Sequence, residues 1–236
     1  MNISIAVPTF NEEKIIEQRI NQLFDFCDNN LKKHKWRIIV ADNGSTDRTI
    51  KIIRKQKQKY SKLEYFHLKK LGKGLAIKKA WQDYLADVNI FMDADLATEL
   101  KFTIPLINGI TEEKYDLTIG SRYHKQSQCK RSLIRSMCSK FYNFILKIFF
   151  NIKLTDTHCG FKALSKSAVQ RIIPKIKNNG LFFDTELLVL ARYYNLNIKE
   201  IPVNWQEEKE RKTKIKIIRT ALKYIREIIK LKYRIL

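Results

Sequence analysis

Five short apolar runs, four of them followed by a stretch with helical spacing, constrain what this chain can fold into more than any other feature. "ISIAVPT" precedes residues 11–30, "WRIIVAD" precedes 46–58, "LEYFHL" precedes 72–86, "VNIFMDAD" precedes a helix near 102–110, and "YDLTIGS" follows. Strands alternating with helices predict an α/β fold, a mostly parallel sheet flanked by helices on both faces. At 236 residues the chain has the length of one large domain of this class. Ligands of such sheets bind outside the carboxyl ends of the strands. Four polar clusters fall there: "PTFNEE" after the first strand, "ADNGSTD" after the second, "DADLATE" after the fourth and "GSRY" after the fifth.

Each cluster carries its own chemistry. In "ADNGSTD", Asn43-Gly44 reads as a turn and Ser45 or Thr46 as the cap of the next helix. Asp42 is not needed for either, and at a strand end it can accept hydrogen bonds from a nucleobase or a ribose. In "LGKGLAI", Gly72 and Gly74 let backbone approach a ligand while Lys73 supplies positive charge; the spacing is neither a P-loop nor a dinucleotide fingerprint. Asp93 and Asp95, separated by Ala94, read either as an ordinary turn after a strand or as ligands for a divalent cation. Mg²⁺ or Mn²⁺ takes oxygen ligands, commonly one or two carboxylates completed by substrate phosphates.

The charge is lopsided, with 46 Lys and Arg against 24 Asp and Glu and a formal net charge of +22. A polyanionic partner follows: an anionic membrane surface, a phosphorylated substrate or nucleic acid. No nucleic-acid-binding signature is present, and a basic binding module would not require acidic and turn clusters at successive strand ends. From Lys209 onward, Ile215, Ile218, Leu222, Ile225, Ile229 and Leu231 recur at helical spacing among Lys and Arg. That is a basic amphipathic helix, too charged to span a bilayer and suited to lying on an anionic surface. Residues 133–154 read as a second, more apolar helix interrupted by Arg135, Lys140, Lys147 and Lys153, also interfacial. For both, packing against the core with a solvated basic face is the alternative. The first residues show no export signal and the four cysteines no CxxC pair, so reduced thiols and a cytoplasmic, peripheral location are expected.

"VPTFNEE", "ADNGSTD", "GKG", "DADLATE" and "GSRY", in this order and at these separations, resemble the inverting GT-A glycosyltransferases of family 2. "LTDTHCGFKAL" and "FFDTELLVLARYYNLNIKEIPVNW" narrow the resemblance to the polyprenyl-phosphate glycosyltransferases, nearer the dolichyl-phosphate glucosyl type than the mannosyl type. The resemblance implies a Rossmann-like GT-A domain over 1–213, with a nucleotide-sugar half at 1–123 and an acceptor half at 124–213, followed by the helix of 214–236. It implies a nucleotide site lined by Pro8, Phe10, Glu12 and Asp42, with Lys73, and Asp93, Ala94 and Asp95 as the metal and donor platform. Arg122 is implied to face the donor diphosphate or the acceptor phosphate, Arg131, Ser132 and Arg135 to receive the lipid phosphate, and Lys214 to close over the donor. Two departures stand out. "DADLAT" is nearer the glucosyl type's acid-Gly-Ala-Thr run, with Ala97 where the mannosyl type has Gln but Leu96 in place of the glucosyl Gly. The membrane anchor with which the eukaryotic glucosyl enzymes begin is not expected here. UDP-glucose is therefore the expected donor and GDP-mannose the alternative, with a soluble transferase acting on a saccharide or protein a third reading.

A lipid monophosphate, with a second pKa of ~6, is ionised near neutral pH and needs no general base. The site should then be rich in Arg and Lys, with Asp156, Asp184 and Glu186 orienting donor hydroxyls or those basic groups. Asp156 and Asp184 can equally be structural, and His158 and Cys159 are read as structural.

Overall fold

The computed structural model describes residues 1–130, 132–206 and 217–235. Strands β1 (Asn2–Thr9), β2 (Lys35–Asp42), β3 (Leu63–His67), β4 (Val88–Met92), β5 (Leu117–Ser121), β7 (Phe161–Ser165) and β8 (Ile198–Pro202) form one sheet in the order β3-β2-β1-β4-β7-β5-β8. All neighbours run parallel except β7, which is antiparallel to β4 and β5. A separate two-stranded ribbon joins β6 (Gln128–Lys130) to β9 (Asn204–Gln206).

The central strands are buried on both faces and mostly apolar, as a sheet covered on both sides requires. Along β1 the side chains alternate between two cores. Ile5 and Val7 pack with Ile20 and Leu23 of α1 (Ile16–Asn30), Ile53 of α2 (Thr49–Lys59) and Leu106 of α4 (Thr103–Thr111). Ala6 faces the other way, towards Trp81 of α3 (Lys73–Asp83), Ile172 of α6 (Lys166–Ile172) and Leu187 of α7 (Phe183–Tyr193). Leu146 of α5 (Leu133–Phe150) and Ile228 and Leu231 of α8 (Ile217–Ile235) complete this second core.

Two local expectations are corrected. Ser45 and Thr46 do not cap α2, which begins at Thr49; the Ser45 hydroxyl hydrogen-bonds Asp42 instead, and Asp47 Oδ1 accepts from the Thr49 N–H at 2.9 Å. The helix expected over 133–154 stops at Phe150, because Asn151 takes φ 53°, a left-handed conformation that ends a helix. Helix α7 shows no amphipathic stripe, since every residue from Phe183 to Ala191 is buried. A helix buried all round lies inside the fold, and this carries Asp184 and Glu186 into the interior.

Parallel register aligns the strand ends: Thr9 lies opposite Asp42, Asp42 opposite His67, and Ser121 opposite Pro202. Antiparallel β7 begins where β4 ends, with Phe161 opposite Met92. The loop before β7 therefore reaches the same edge as the acids that follow β4.

Candidate active site at the carboxyl edge of the sheet

The acid pair leaves β4 in a turn closed by the Leu96 N–H donating to Asp93 O at 3.0 Å. Leu96 itself sits at φ 51°. Position 96 thus takes the left-handed backbone that glycine adopts most readily, here with leucine. Asp93 rests against Gly160, where an added Cβ would fall 1.9 Å from Asp93 Oδ2. The Asp93 N–H donates to Gly160 O at 3.0 Å. Asp93, Asp95, Leu96, Ala97, Gly160 and Trp205 line one crevice.

Lysine 73 opens α3 and spans two acids, with Nζ 2.9 Å from Asp93 Oδ1 and 3.2 Å from Asp184 Oδ2. Close packing allows that reach. A Cβ on Gly74 would meet Phe183 Cβ at 2.6 Å, and one on Gly72 the Asn179 carbonyl at 2.5 Å. The other Asp184 oxygen takes Lys162 Nζ at 2.6 Å, and Lys162 is fully buried. Burial opposes the charge on Lys73, but the Asp184 and Asp93 carboxylates outweigh it and hold its pKa above the ordinary lysine range. Burial likewise opposes ionisation of Asp184, and the Lys162 and Lys73 ammonium groups prevail, keeping its pKa below the usual carboxylate range.

Arg122 and Asp156 form a second buried pair, Nε to Oδ2 at 2.6 Å and Nη2 to Oδ1 at 2.9 Å, with the Arg122 backbone N–H on Oδ2 at 3.0 Å. Burial works against the Asp156 charge, and the guanidinium holds its pKa low nonetheless. The same guanidinium lies 5.5 Å from the Trp205 ring, which ties "GSRY" to the crevice wall. The His158 N–H donates to Asp156 Oδ1 at 3.1 Å, and its ring stacks on Tyr224 of α8 at 5.6 Å and meets Tyr142 of α5 edge-on at 4.4 Å. Burial pushes the His158 pKa down to about 4 and the Cys159 thiol up to about 12, so both are neutral near pH 7.

The other expected residues are less concentrated. Asp42 is fully buried, its carboxylate shared by Ser45 and by His67 Nδ1 at 2.5 Å. Pro8 and Phe10 are half-buried at the end of β1, and the Glu12 N–H donates to Thr49 Oγ1 at 2.9 Å. Ala94 is buried between the two acids. Ser132 is exposed at the start of α5 and Arg135 half-buried in its first turn. Glu186 accepts the backbone N–H groups of Lys177 and Asn178 and meets Arg234 of α8. It stabilises that loop and the α8 contact. Arg131 and Lys214 lie outside the described residues.

The sequence reading missed Lys162, Gly160, Trp205 and His67. A lysine within the apolar run "FKAL" was a usable signal for the first, since a charge in a strand covered on both faces needs a partner.

The acid pair offers hard oxygen ligands at the rim of a crevice. Among the described residues no group of three or more His, Cys, Asp or Glu could hold a metal ion. Two carboxylates fit a magnesium- or manganese-type ion that completes its shell with substrate oxygens.

Comparison with known proteins matches this architecture. The chain is 28% identical to the glycosyltransferase AglD of Haloferax volcanii over 94% of its own length, but spans only 35% of that relative. It is 30% identical to the dolichyl-phosphate β-glucosyltransferase of Saccharomyces cerevisiae, covering 87% of this chain and 67% of the yeast protein. Glucosyl-3-phosphoglycerate synthase from Mycobacterium tuberculosis, solved with Mn²⁺, UDP and phosphoglyceric acid, shares the fold with a TM-score of 0.70 at 17% identity, over 99% of this chain and 78% of that one. The sequence profile of glycosyl transferase family 2 matches residues 4–173. With the acid pair at the carboxyl edge of a GT-A sheet and that profile covering most of the chain, the protein belongs to glycosyl transferase family 2.

Proposed function

We propose that the protein transfers a hexose with inversion from a nucleotide sugar to a polyprenyl phosphate, and that UDP-glucose is the donor. The observation that carries this reading is the state of the buried acids. Asp156 and Asp184 are each neutralised by buried cations, Arg122 for one and Lys162 with Lys73 for the other. Neither acid is poised to take a proton, which suits an acceptor that arrives already ionised.

In the proposed reaction an acceptor phosphate oxygen attacks the anomeric carbon, the bond from that carbon to the diphosphate oxygen breaks, and its electron pair leaves with the nucleoside diphosphate. Asp93 and Asp95 would hold Mg²⁺ or Mn²⁺, which when bound neutralises charge on the leaving diphosphate. Lys73 adds a fixed positive charge beside Asp93, and the first turn of α5 offers backbone N–H groups with Ser132 and Arg135 to the lipid phosphate. Helix α5 then exposes Leu133, Ile134, Met137, Phe141, Phe144 and Ile148. Apolar side chains beside a phosphate subsite fit a substrate whose head is charged and whose tail is hydrocarbon. They also suit docking of the protein on an anionic membrane surface, at the cytoplasmic face, with basic residues at the headgroup level. No helix among the described residues is long and apolar enough to cross a membrane.

The UDP-glucose assignment draws on the relatives named dolichyl-phosphate β-glucosyltransferase. The test offers the purified protein radiolabelled UDP-glucose or GDP-mannose with a polyprenyl phosphate and Mg²⁺ or Mn²⁺, followed by extraction into organic solvent. Label from UDP-glucose is expected in the organic phase. Label from GDP-mannose alone would reassign the donor, and no label from either would overturn the acceptor class.

A further inference from the structure

We infer that Lys162 is a positioning residue for the donor platform, setting the Asp93 carboxylate through the chain of contacts Lys162, Asp184, Lys73, Asp93. The inference rests on the reading of Asp93 and Asp95 as the metal and donor platform.

Lys162 is the second residue of β7, opposite Phe91 of β4 and Ile119 of β5, and is fully buried. Its Nζ has two oxygen partners, Cys159 O at 2.5 Å and Asp184 Oδ1 at 2.6 Å. Asp184 Oδ2 then meets Lys73 Nζ, and the same Nζ meets Asp93 Oδ1. The two ammonium groups flank one ring, Phe91, with Lys73 at 5.2 Å and Lys162 at 5.3 Å from its centroid. Two cations and two carboxylates make a neutral quartet. Three of its members are largely buried, while the Asp93 side chain is 46% exposed at the crevice.

The arrangement has a direction. Burying Lys162 is costly, and an apolar residue of similar volume commonly serves a core at least as well. What an apolar residue could not do is hold one oxygen of Asp184. With that oxygen occupied, Asp184 presents only the other to Lys73, and the Lys73 ammonium is drawn into the gap between Asp184 and Asp93. On the far side Asp93 lies against the Gly160 backbone, its carboxylate in the space that a Cβ would fill. Asp93 is thereby fixed between a backbone wall and a cation whose own position is set by Lys162. Without Lys162, Lys73 is the one cation left on Asp184 among the described residues and turns towards it, and Asp93 loses its hold.

Two variants test this, Lys162→Met and the charge-neutral pair Lys162→Met with Asp184→Asn, which leaves no unpaired buried charge and keeps the test open if the single variant does not fold. Calorimetric titration with Mn²⁺ and UDP, and in parallel Mn²⁺ and GDP, is combined with the paramagnetic resonance of bound Mn²⁺, below the unfolding temperature of each variant. Removing a group that orients a metal ligand typically weakens metal affinity about 10- to 100-fold; a loss of that size is expected in Lys162→Met, and recovery towards wild-type affinity in the double variant, where Lys73 has no Asp184 carboxylate to turn to and stays on Asp93. A purely structural Lys162 would lower the melting temperature and leave the affinity of the folded protein unchanged. Wild-type affinity in the folded single variant, or a loss in the double variant as large as in the single one, overturns the inference. Failure of the wild-type protein to bind either nucleotide with Mn²⁺ overturns the reading of the site and this inference with it, and is seen in the wild-type titration alone.

Discussion

At position 160 the absence of a side chain is itself a structural requirement. Because a Cβ at Gly160 would reach 1.9 Å from Asp93 Oδ2, Gly160→Ala must displace the carboxylate from its present place beside Lys73. A displacement of about 1 Å at a reacting site can cost on the order of 100-fold, and a fall of that size in kcat/KM with little change in urea midpoint is expected. Asp95→Ala should remove metal-dependent turnover by about 100- to 1000-fold, the scale of losing one charge-stabilising group, while unfolding stays cooperative; unchanged turnover would take Asp95 out of the site. Leu96→Gly tests the turn. Relief of a left-handed leucine gains roughly 1 kcal/mol, which offsets lost apolar contact, so chemical denaturation should show a net change under about 1 kcal/mol.

At the scale of elements, α5 and α8 connect the site to the surface. Tyr224 of α8 stacks on His158, Tyr142 of α5 closes on both rings, and His158 donates its N–H to the acid that clamps Arg122. Movement of either helix is thus felt two contacts from Arg122. The outward face of α5 carries Phe141 at 65% exposure and Phe144 at 57%, more open than a soluble core helix needs. If it docks on lipid, burying one Phe contributes roughly 1.5–3 kcal/mol, so Phe141→Glu should weaken vesicle binding about tenfold or more. Binding of Mn²⁺ and nucleotide in the absence of lipid should not change, and equal vesicle binding would remove α5 from the membrane surface.

Across the whole molecule, charge and protonation set the operating conditions. With +22 formal charge the proposed attachment to anionic vesicles should fall steeply as salt rises from 0.1 to 1 M, as the Debye length shrinks from about 10 to about 3 Å. Salt-insensitive flotation would point to apolar docking alone. Stability should decline in acid in two stages. His158 is buried neutral with its pKa lowered from 6.5 to about 4, so the unfolded chain binds the extra proton first. Stability therefore drops as pH falls from about 6.5 to about 4, by roughly 2 kcal/mol with allowance for the ring's partial exposure. Asp156 and Asp184 have depressed pKa values, so their contribution is complete above the ordinary value of 3.8 and is lost as pH falls through their lower folded values. Urea denaturation at a series of pH values checks both stages, and His158→Asn should remove only the first.

Much of this was legible in the chain. Period-two and helical apolar spacing is a local property, so the strands and the helices between them could be read directly, as could the strand-end clusters. "DAD" was legible as a candidate site for the same reason, because a carboxylate pair after an apolar run is a local pattern. Antiparallel β7 was not, because strand pairing is decided by which distant edges meet, and nothing local in "FKALS" states its direction. The α/β alternation, the basic charge and the acids that follow β4 are all written along the chain. The entry of β7 between β4 and β5, which brings Gly160 against Asp93 and Lys162 against Asp184, arises only on folding. The physical reason is that buried charges are tolerated only in mutual contact, and those contacts join residues from β4, β7, α3 and α7 that lie far apart along the chain.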